Sequence, residues 1–324
     1  MRFFRSAKPL FTRTFGNARG AVTVSILILF CAGAAFARDN SVQGDRAPGK
    51  RIFISVDMEG VVGVVTPGQL SPDGFDYQQA RIAMTNEVNA AIAGARRAGA
   101  TEFVIADSHG NFQNLLIDLL PKDAKIIRGT TRPLIMMEGI QNDRFDGVMF
   151  IGYHAGATRL TGVRAHSFSS AGISDLRVNG IPASEGYWNA AIAGEFGAPV
   201  LLVSGDDVAS GEFARIAPGA EQVAVKRAIS FHSAETITPA AGFALIESAS
   251  ERALTKPARA APFRIKGPLT IDLTFHFYQP AEVLSWLPMF ERTGSRSVRY
   301  RAKNVVEATK LLAFILTYSA GLQP

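Results

Sequence analysis

Four short apolar runs each end abruptly in residues that bind cations or protons, and that recurrence restricts the folds open to this chain. Residues 52–56 lead into Asp57-Met58-Glu59-Gly60, 103–106 into Asp107-Ser108-His109-Gly110, 147–152 into Tyr153-His154, and 199–204 into Gly205-Asp206-Asp207. Such continuous apolar runs, rich in β-branched residues, read as strands buried on both faces. Residues 77–98 carry a helical pattern, with Ile82, Val88 and Ile92 on one face and Gly99 at the C′ position. A second helix opens at Glu185 behind Ser184 and ends near Gly197. Strands alternating with helices imply an α/β fold, a mostly parallel sheet with helices on both faces. Ligands of such sheets bind outside the carboxyl ends of the strands.

The N-terminus has to be set aside before the rest is read. Arg2, Arg5, Lys8, Arg13 and Arg19 precede an uncharged run, 21–37, that closes on Ala35-Phe36-Ala37. That is the build of a secretory signal peptide over 1–37, with an uncleaved N-terminal anchor as the alternative. The protein is expected to be exported, periplasmic or secreted, touching a membrane only through an uncleaved leader. No Arg-Arg pair suggests twin-arginine export, and Phe30 before Cys31 is too large for a lipidation site. Without those five cations the formal charge of +6 falls to +1 over the remaining 287 residues. Net charge therefore gives no reason to expect a nucleic-acid partner. Cys31 is the only cysteine, so a metal in the mature chain must be held by His, Asp and Glu.

Residues 38–50 read as a polar linker, 51–210 as the metal-binding catalytic domain and 211–324 as a smaller C-terminal α+β domain. The smaller domain is expected to hold a helix from Pro239, strands at 269–275 and 297–302, and a closing helix behind Asn304. Within 51–210, loop 67–75 is long enough to cover a site beside Glu59. Residues 163–167 read as extended, and Asn179-Gly180 as a two-residue hairpin turn.

Asp57 and Glu59 sit two apart and project the same way from a strand, where two anions call for a cation between them. Hard carboxylate oxygens suit zinc, manganese or magnesium; a solvated loop is the plain alternative. His109 and His154 end their strands beside glycines. Glu185 is either a ligand or a first-turn glutamate favoured by the helix dipole. His166 is a supporting donor or a catalytic group, His232 and His276 read as structural, and Asp206 and Asp207 as supporting or capping residues.

Ser55-Val56-Asp57-Met58-Glu59-Gly60, Asp107-Ser108-His109, Gly152-Tyr153-His154, Ala165-His166-Ser167, Glu185 with Asn189-Ala190, and Gly205-Asp206-Asp207 follow one another in a specific order. In that order the chain resembles the D-aminopeptidase family of binuclear zinc peptidases, from about residue 50 to its C-terminus. The resemblance implies two zinc ions per subunit, with Asp57 touching both and Glu59, His109, His154 and Glu185 completing the shells. His166 matches the family's catalytic histidine, usually described as the nucleophile. A general acid/base or oxyanion donor suits it better physically, because a two-metal site already activates water. The implied activity is a zinc-dependent aminopeptidase acting on short peptides with D-amino-acid N-termini, assembled as a homo-oligomer. The aromatic pair Tyr187-Trp188 departs from the family and is expected to narrow the substrate pocket. Two rival readings remain at this level. One is another metal-dependent hydrolase, an amidohydrolase or phosphoesterase, although no glycine-rich phosphate cradle supports it. The other is an exported peptide- or metal-binding protein without turnover, which would not need His166.

Overall fold

Strand β1 (Lys50–Val56) occupies the middle of a seven-stranded sheet because its last five side chains offer nothing that water could solvate except Ser55, and all five are fully buried. The computed structural model describes residues 49–255 and 260–318, so the expected leader and all but the end of the linker lie outside the described residues. The sheet runs β3-β2-β1-β4-β7-β8-β9, where β2 is Ala100–Asp107, β3 Lys125–Ile127, β4 Gly147–Tyr153, β7 Val200–Asp206, β8 Glu221–Ser230 and β9 Ser233–Thr236. Every pairing is parallel except β8 with β9, as expected for a doubly covered sheet.

The period of two in β1 separates two cores. Ile52, Ile54 and Val56 face α1 (Tyr77–Arg97) and α4 (Pro239–Thr255). Phe53 faces the other way, edge-on to Phe145, into a core shared with α2 (Glu185–Glu195), α3 (Asp207–Ile216) and α6 (Val305–Thr317). Val88 and Ile92 of α1 are buried as expected, but Ile82 is 38% exposed. The buried stripe runs instead through Ala80, Met84, Val88, Ala91 and Ala95, and Gly94 beside it lets α4 lie close, since a Cβ there would stand 2.0 Å from Glu247 O.

A second, antiparallel sheet has the order β11-β12-β10-β5-β6, with β5 at Ile173–Val178, β6 Ile181–Pro182, β10 Leu269–Phe275, β11 Phe290–Arg292 and β12 Ser297–Ala302; α5 is Tyr278–Leu284. Asn179 and Gly180 join β5 to β6 with φ of 52° and 80°, the left-handed pair a tight hairpin demands. The expected boundary at 210 is corrected by this pairing. Strands β8 and β9 and helix α4 extend the first sheet beyond it, while β5 and β6, from before it, pair with β10. The reason is packing: Val223 and Val225 of β8 continue the α1/α4 core, whereas Leu176 and Val178 of β5 belong to the opposite core with Ile271 and Leu273.

From β1 the chain fills one side of the sheet through β2 and β3, then returns to fill the other through β4, β7 and β8. The order reverses between β1 and β4, and a crevice opens outside the carboxyl ends of those two strands.

Candidate metal centre

The turn after β1 lies flat on the end of β4, and this is what brings Asp57 beside His154. The Asp57 N–H donates to Ile151 O at 2.8 Å and the Gly60 N–H to Gly152 O at 2.7 Å. A Cβ on Gly60 would stand 2.0 Å from Tyr153 O, so only glycine allows the approach. Lys226 of β8 locks the same turn from beneath. Its Nζ donates to Glu59 O at 2.6 Å, to Val61 O at 2.8 Å, and to Val64 O. Glu87 of α1 accepts the Val62 N–H at 2.8 Å.

Asp107, at the end of β2, accepts the N–H groups of Asn114 and Leu115 at 2.6 and 2.7 Å and the Asn114 amide at 2.8 Å. It closes the loop that presents His109 and contributes no ligand atom to the cluster. Asp206 is likewise committed, as the N-cap of α3 and acceptor of the Val163 N–H. The structure therefore assigns both strand-end aspartates to scaffolding. Glu185 is the first residue of α2, capped by Ser184, and its Oε1 accepts the Phe168 N–H at 2.6 Å.

Residues 163–167 do not form the expected strand. Arg164 and Phe168 both adopt left-handed backbone, with φ of 55° and 60°, and the turn they make aims the Arg164 carbonyl at His166.

The three imidazoles share one arrangement. His109 Nε2 lies 2.9 Å from Leu70 O, in the loop expected to cover the site; His154 Nδ1 lies 3.0 Å from Ala155 O; His166 Nδ1 lies 2.8 Å from Arg164 O. A carbonyl only accepts, so in each ring that nitrogen carries the proton. The other nitrogen is turned toward carboxylates. His109 Nδ1 is 2.9 Å from Glu59 Oε2 and 3.3 Å from Asp57 Oδ1. His154 Nε2 is 3.3 Å from both Asp57 Oδ2 and Glu185 Oε1, and His166 Nε2 is 3.5 Å from Glu185 Oε1. The rings of His154 and His166 stack 4.1 Å apart. Two groups result, Asp57/Glu59/His109 and His154/His166/Glu185, each with its ligand atoms within 4.8 Å of one another. Asp57 spans them, one oxygen toward each.

Electrostatics shows what is demanded here. Burial and then the Glu59 charge raise the Asp57 carboxyl above its usual range. Burial would also raise Glu59, but His109 holds it well below the ordinary value. Burial would depress His109 and His154, yet Glu59 and Asp57 around the first, and Glu185 and Asp57 around the second, hold both well above the usual histidine value. Without a bound cation the carboxylates draw positive charge from His109 and His154, the charge that a bound cation would otherwise supply. Asp57 Oδ2 and His154 Nε2 are buried without a hydrogen-bond partner among the described residues, the state of a lone pair meant for a cation. Donor atoms around a tetrahedral zinc with bonds near 2.0 Å stand about 3.3 Å apart, which matches the separations seen. Nitrogen and carboxylate donors, each histidine steadied through its other nitrogen, fit zinc.

Asp57, Glu59, His109, His154, Glu185 and His166 are thus all brought together, while His232 and His276 stay outside the cluster. A cavity of about 420 Å³ opens over it, lined also by Arg132, Arg164 and the end of α6. Tyr187 and Trp188 are not in its wall, contrary to expectation. Trp188 is buried and donates to Thr309 Oγ1 at 2.9 Å, fastening α2 to α6, and Tyr187 packs on Phe263. Glu87 escaped the sequence reading altogether. Its only signal was an acidic residue on the buried stripe of α1.

Glu87 yields a measurable consequence. Burial pushes its carboxyl from 4.5 up to about 7, against the Val62 N–H and Lys226, which lower it. Between those pH values the folded chain keeps a proton that the unfolded chain has lost, so this group's contribution falls as pH rises, by about 3 kcal/mol. Glu87→Gln mimics the protonated form. Denaturant unfolding should show the variant gaining about 3 kcal/mol on wild type between pH 4.5 and 7.5, and a constant difference would refute it.

Comparison with known proteins agrees with the geometry. The family model for D-aminopeptidases (Peptidase_M55) matches residues 50–314. A D-aminopeptidase of Bacillus subtilis (strain 168) is 34% identical over 259 residues, 80% of this chain and 93% of that protein. Among solved structures, the Zn-dependent D-aminopeptidase DppA from Bacillus subtilis, described as a self-compartmentalizing protease, superposes with a TM-score of 0.77 at 32% identity, covering 83% of this chain and 98% of that one.

Proposed function

The chain belongs to the D-aminopeptidase family of metallopeptidases, and from that membership we propose that it is a zinc-dependent enzyme releasing D-residues from the N-termini of short peptides. One observation carries the reading to this chain's own residues. Three imidazoles, His109 and His154 buried and His166 partly so, each give one nitrogen to a backbone carbonyl and turn the other toward three carboxylates, where Asp57 Oδ2 and His154 Nε2 have no hydrogen-bond partner among the described residues.

In this reading Glu59 and His109 would hold one zinc, His154 and Glu185 the other, with Asp57 placed to be shared between them. Bound zinc supplies Lewis acidity toward the scissile carbonyl and lowers the pKa of water to about 7. The rest falls to the protein. Asp57, Glu59 and Glu185 gather at the floor of the cavity the negative charge that would balance the bound cations, and a free N-terminal amine seated against that floor would account for N-terminal specificity. Phe112, Phe168 and Leu316 in the wall keep the reacting bond away from bulk water. His166 keeps its Nδ1 proton, donated to Arg164 O, takes a proton at Nε2 from the attacking water and delivers it to the leaving amine. A volume of about 420 Å³ suits a peptide of few residues.

The leader pattern supports export to the periplasm or medium. Homo-oligomer formation is supported by the self-compartmentalizing relative and by apolar side chains left exposed around α5, among them Trp286 at 73%.

Metal stripping tests the whole reading. Chelator-treated protein should lose turnover of D-aminoacyl peptides and melt at lower temperature, because a cation bound only by the folded state stabilises it. Zinc should restore both, with cobalt and manganese tried beside it and L-aminoacyl peptides as poorer substrates. Turnover that survives complete stripping would remove the metal from the mechanism.

A further inference from the structure

The cavity holds two arginines, and only one of them is occupied. Arg132 donates Nε to Gly129 O, Nη1 to Asp107 O and Nη2 to Ile127 O, at 2.7, 2.8 and 3.0 Å, so its guanidinium is spent on the scaffold. Arg164 makes no side-chain hydrogen bond or ion pair among the described residues, and its Nε is buried without a partner. A guanidinium offers five donors in a planar fork, and a buried donor left unmade is unfavourable unless a ligand satisfies it. The side chain is nevertheless held. It lies over the Phe231 ring, 5.0 Å from the centroid, and the Arg164 N–H donates to Phe231 O at 3.0 Å. The turn between β8 and β9 thus braces an unpaired cation in the cavity wall.

We infer that Arg164 forms a subsite for the C-terminal carboxylate of the substrate and so restricts the enzyme to very short peptides with a free C-terminus. The inference rests on the aminopeptidase reading for the placement of the scissile bond. Arg164 and His166 are two residues apart on one turn and line the same cavity, so a substrate held at His166 lies within reach of the long Arg164 side chain. A substrate whose scissile bond lies at His166, with its ammonium toward the carboxylates, carries its carboxylate toward Arg164. Arg164 sets an unpaired positive charge in the cavity wall, the charge that a peptide's terminal carboxylate requires. A fork-shaped guanidinium pairs with a carboxylate through two parallel hydrogen bonds, which an amide cannot reproduce. The left-handed backbone of Arg164 links the two ends of the site: its carbonyl fixes the catalytic imidazole and its side chain reads the far end of the substrate.

The test compares D-alanylglycine with its C-terminal amide on the zinc-loaded full chain, in wild type, Arg164→Met and Arg164→Lys. Wild type should prefer the acid over the amide by about 10- to 100-fold in kcat/KM. In Arg164→Met that ratio should fall to near one, through KM rather than kcat, while Arg164→Lys, which keeps the charge without the fork, should retain part of it. The same comparison is made by calorimetry with reduced-amide analogues that cannot be cleaved, so it does not depend on turnover. An acid-to-amide ratio near one in wild type, or a ratio unchanged in Arg164→Met, overturns the subsite while leaving the peptidase reading in place. Acid-selective, Arg164-dependent binding without any turnover would keep the subsite and sink the peptidase reading instead.

Discussion

Asp57→Asn should lower kcat/KM by at least about 10³-fold and strip most of the bound zinc, with the fold intact. Asparagine keeps the size of the side chain and an oxygen for the Met58 N–H, which Asp57 Oδ1 now accepts at 2.8 Å. What disappears is the charge shared between the two halves of the cluster and the second oxygen, turned toward His154. Metal-free protein should respond in the opposite sense. Burial and the neighbouring Glu59 make the Asp57 charge unfavourable there, so stripped Asp57→Asn should melt above stripped wild type at neutral pH. Elemental analysis beside melting curves reads both. A variant that keeps its zinc and its activity would show that Asp57 is not shared between ions.

His166→Ala should cost about 10²- to 10⁴-fold in kcat, the usual worth of a positioned general acid, while zinc per subunit stays unchanged. The measurement discriminates because His166 Nε2 lies 3.5 Å from Glu185 Oε1 and its ring stacks on His154. The same separations would fit a ligand. Loss of one zinc per subunit in the variant would move His166 from proton transfer to metal binding, and full activity would remove it from the mechanism. KM should change little, since the substrate's charged ends are held by other groups.

The cluster was legible in the sequence because each of its residues follows a local signal. Asp57, His109 and His154 come directly after buried apolar runs, and Glu185 follows a serine cap at the start of a helix. The parallel sheet was legible for the same reason. What escaped depends on contacts between distant segments. Asp107 looks like a ligand as it stands in the sequence, and only loop closure shows it accepting backbone N–H groups, whereas Asp206 caps its helix as its position suggests. Residues 163–167 look extended, and no local rule announces that Arg164 and Phe168 take left-handed backbone around His166. Trp188 looked like a pocket wall because aromatic bulk carries no address; its indole N–H found Thr309, 121 residues away. The boundary at 210 failed because strand pairing runs across it in both sheets.

The reversal of strand order between β1 and β4 bears on when the protein can first act. The residues proposed to hold zinc come from the ends of β1, β2 and β4 and from the start of α2, and the lysine beneath them comes from β8. No short stretch of the chain carries even half of the centre. A chain still being synthesised, or cut before Glu185, therefore has no working centre to turn on its neighbours. Hydrolytic competence arrives only with long-range sheet assembly, the slow part of folding in parallel α/β proteins, and the fold itself delays the onset of proteolysis until β8 has joined the sheet.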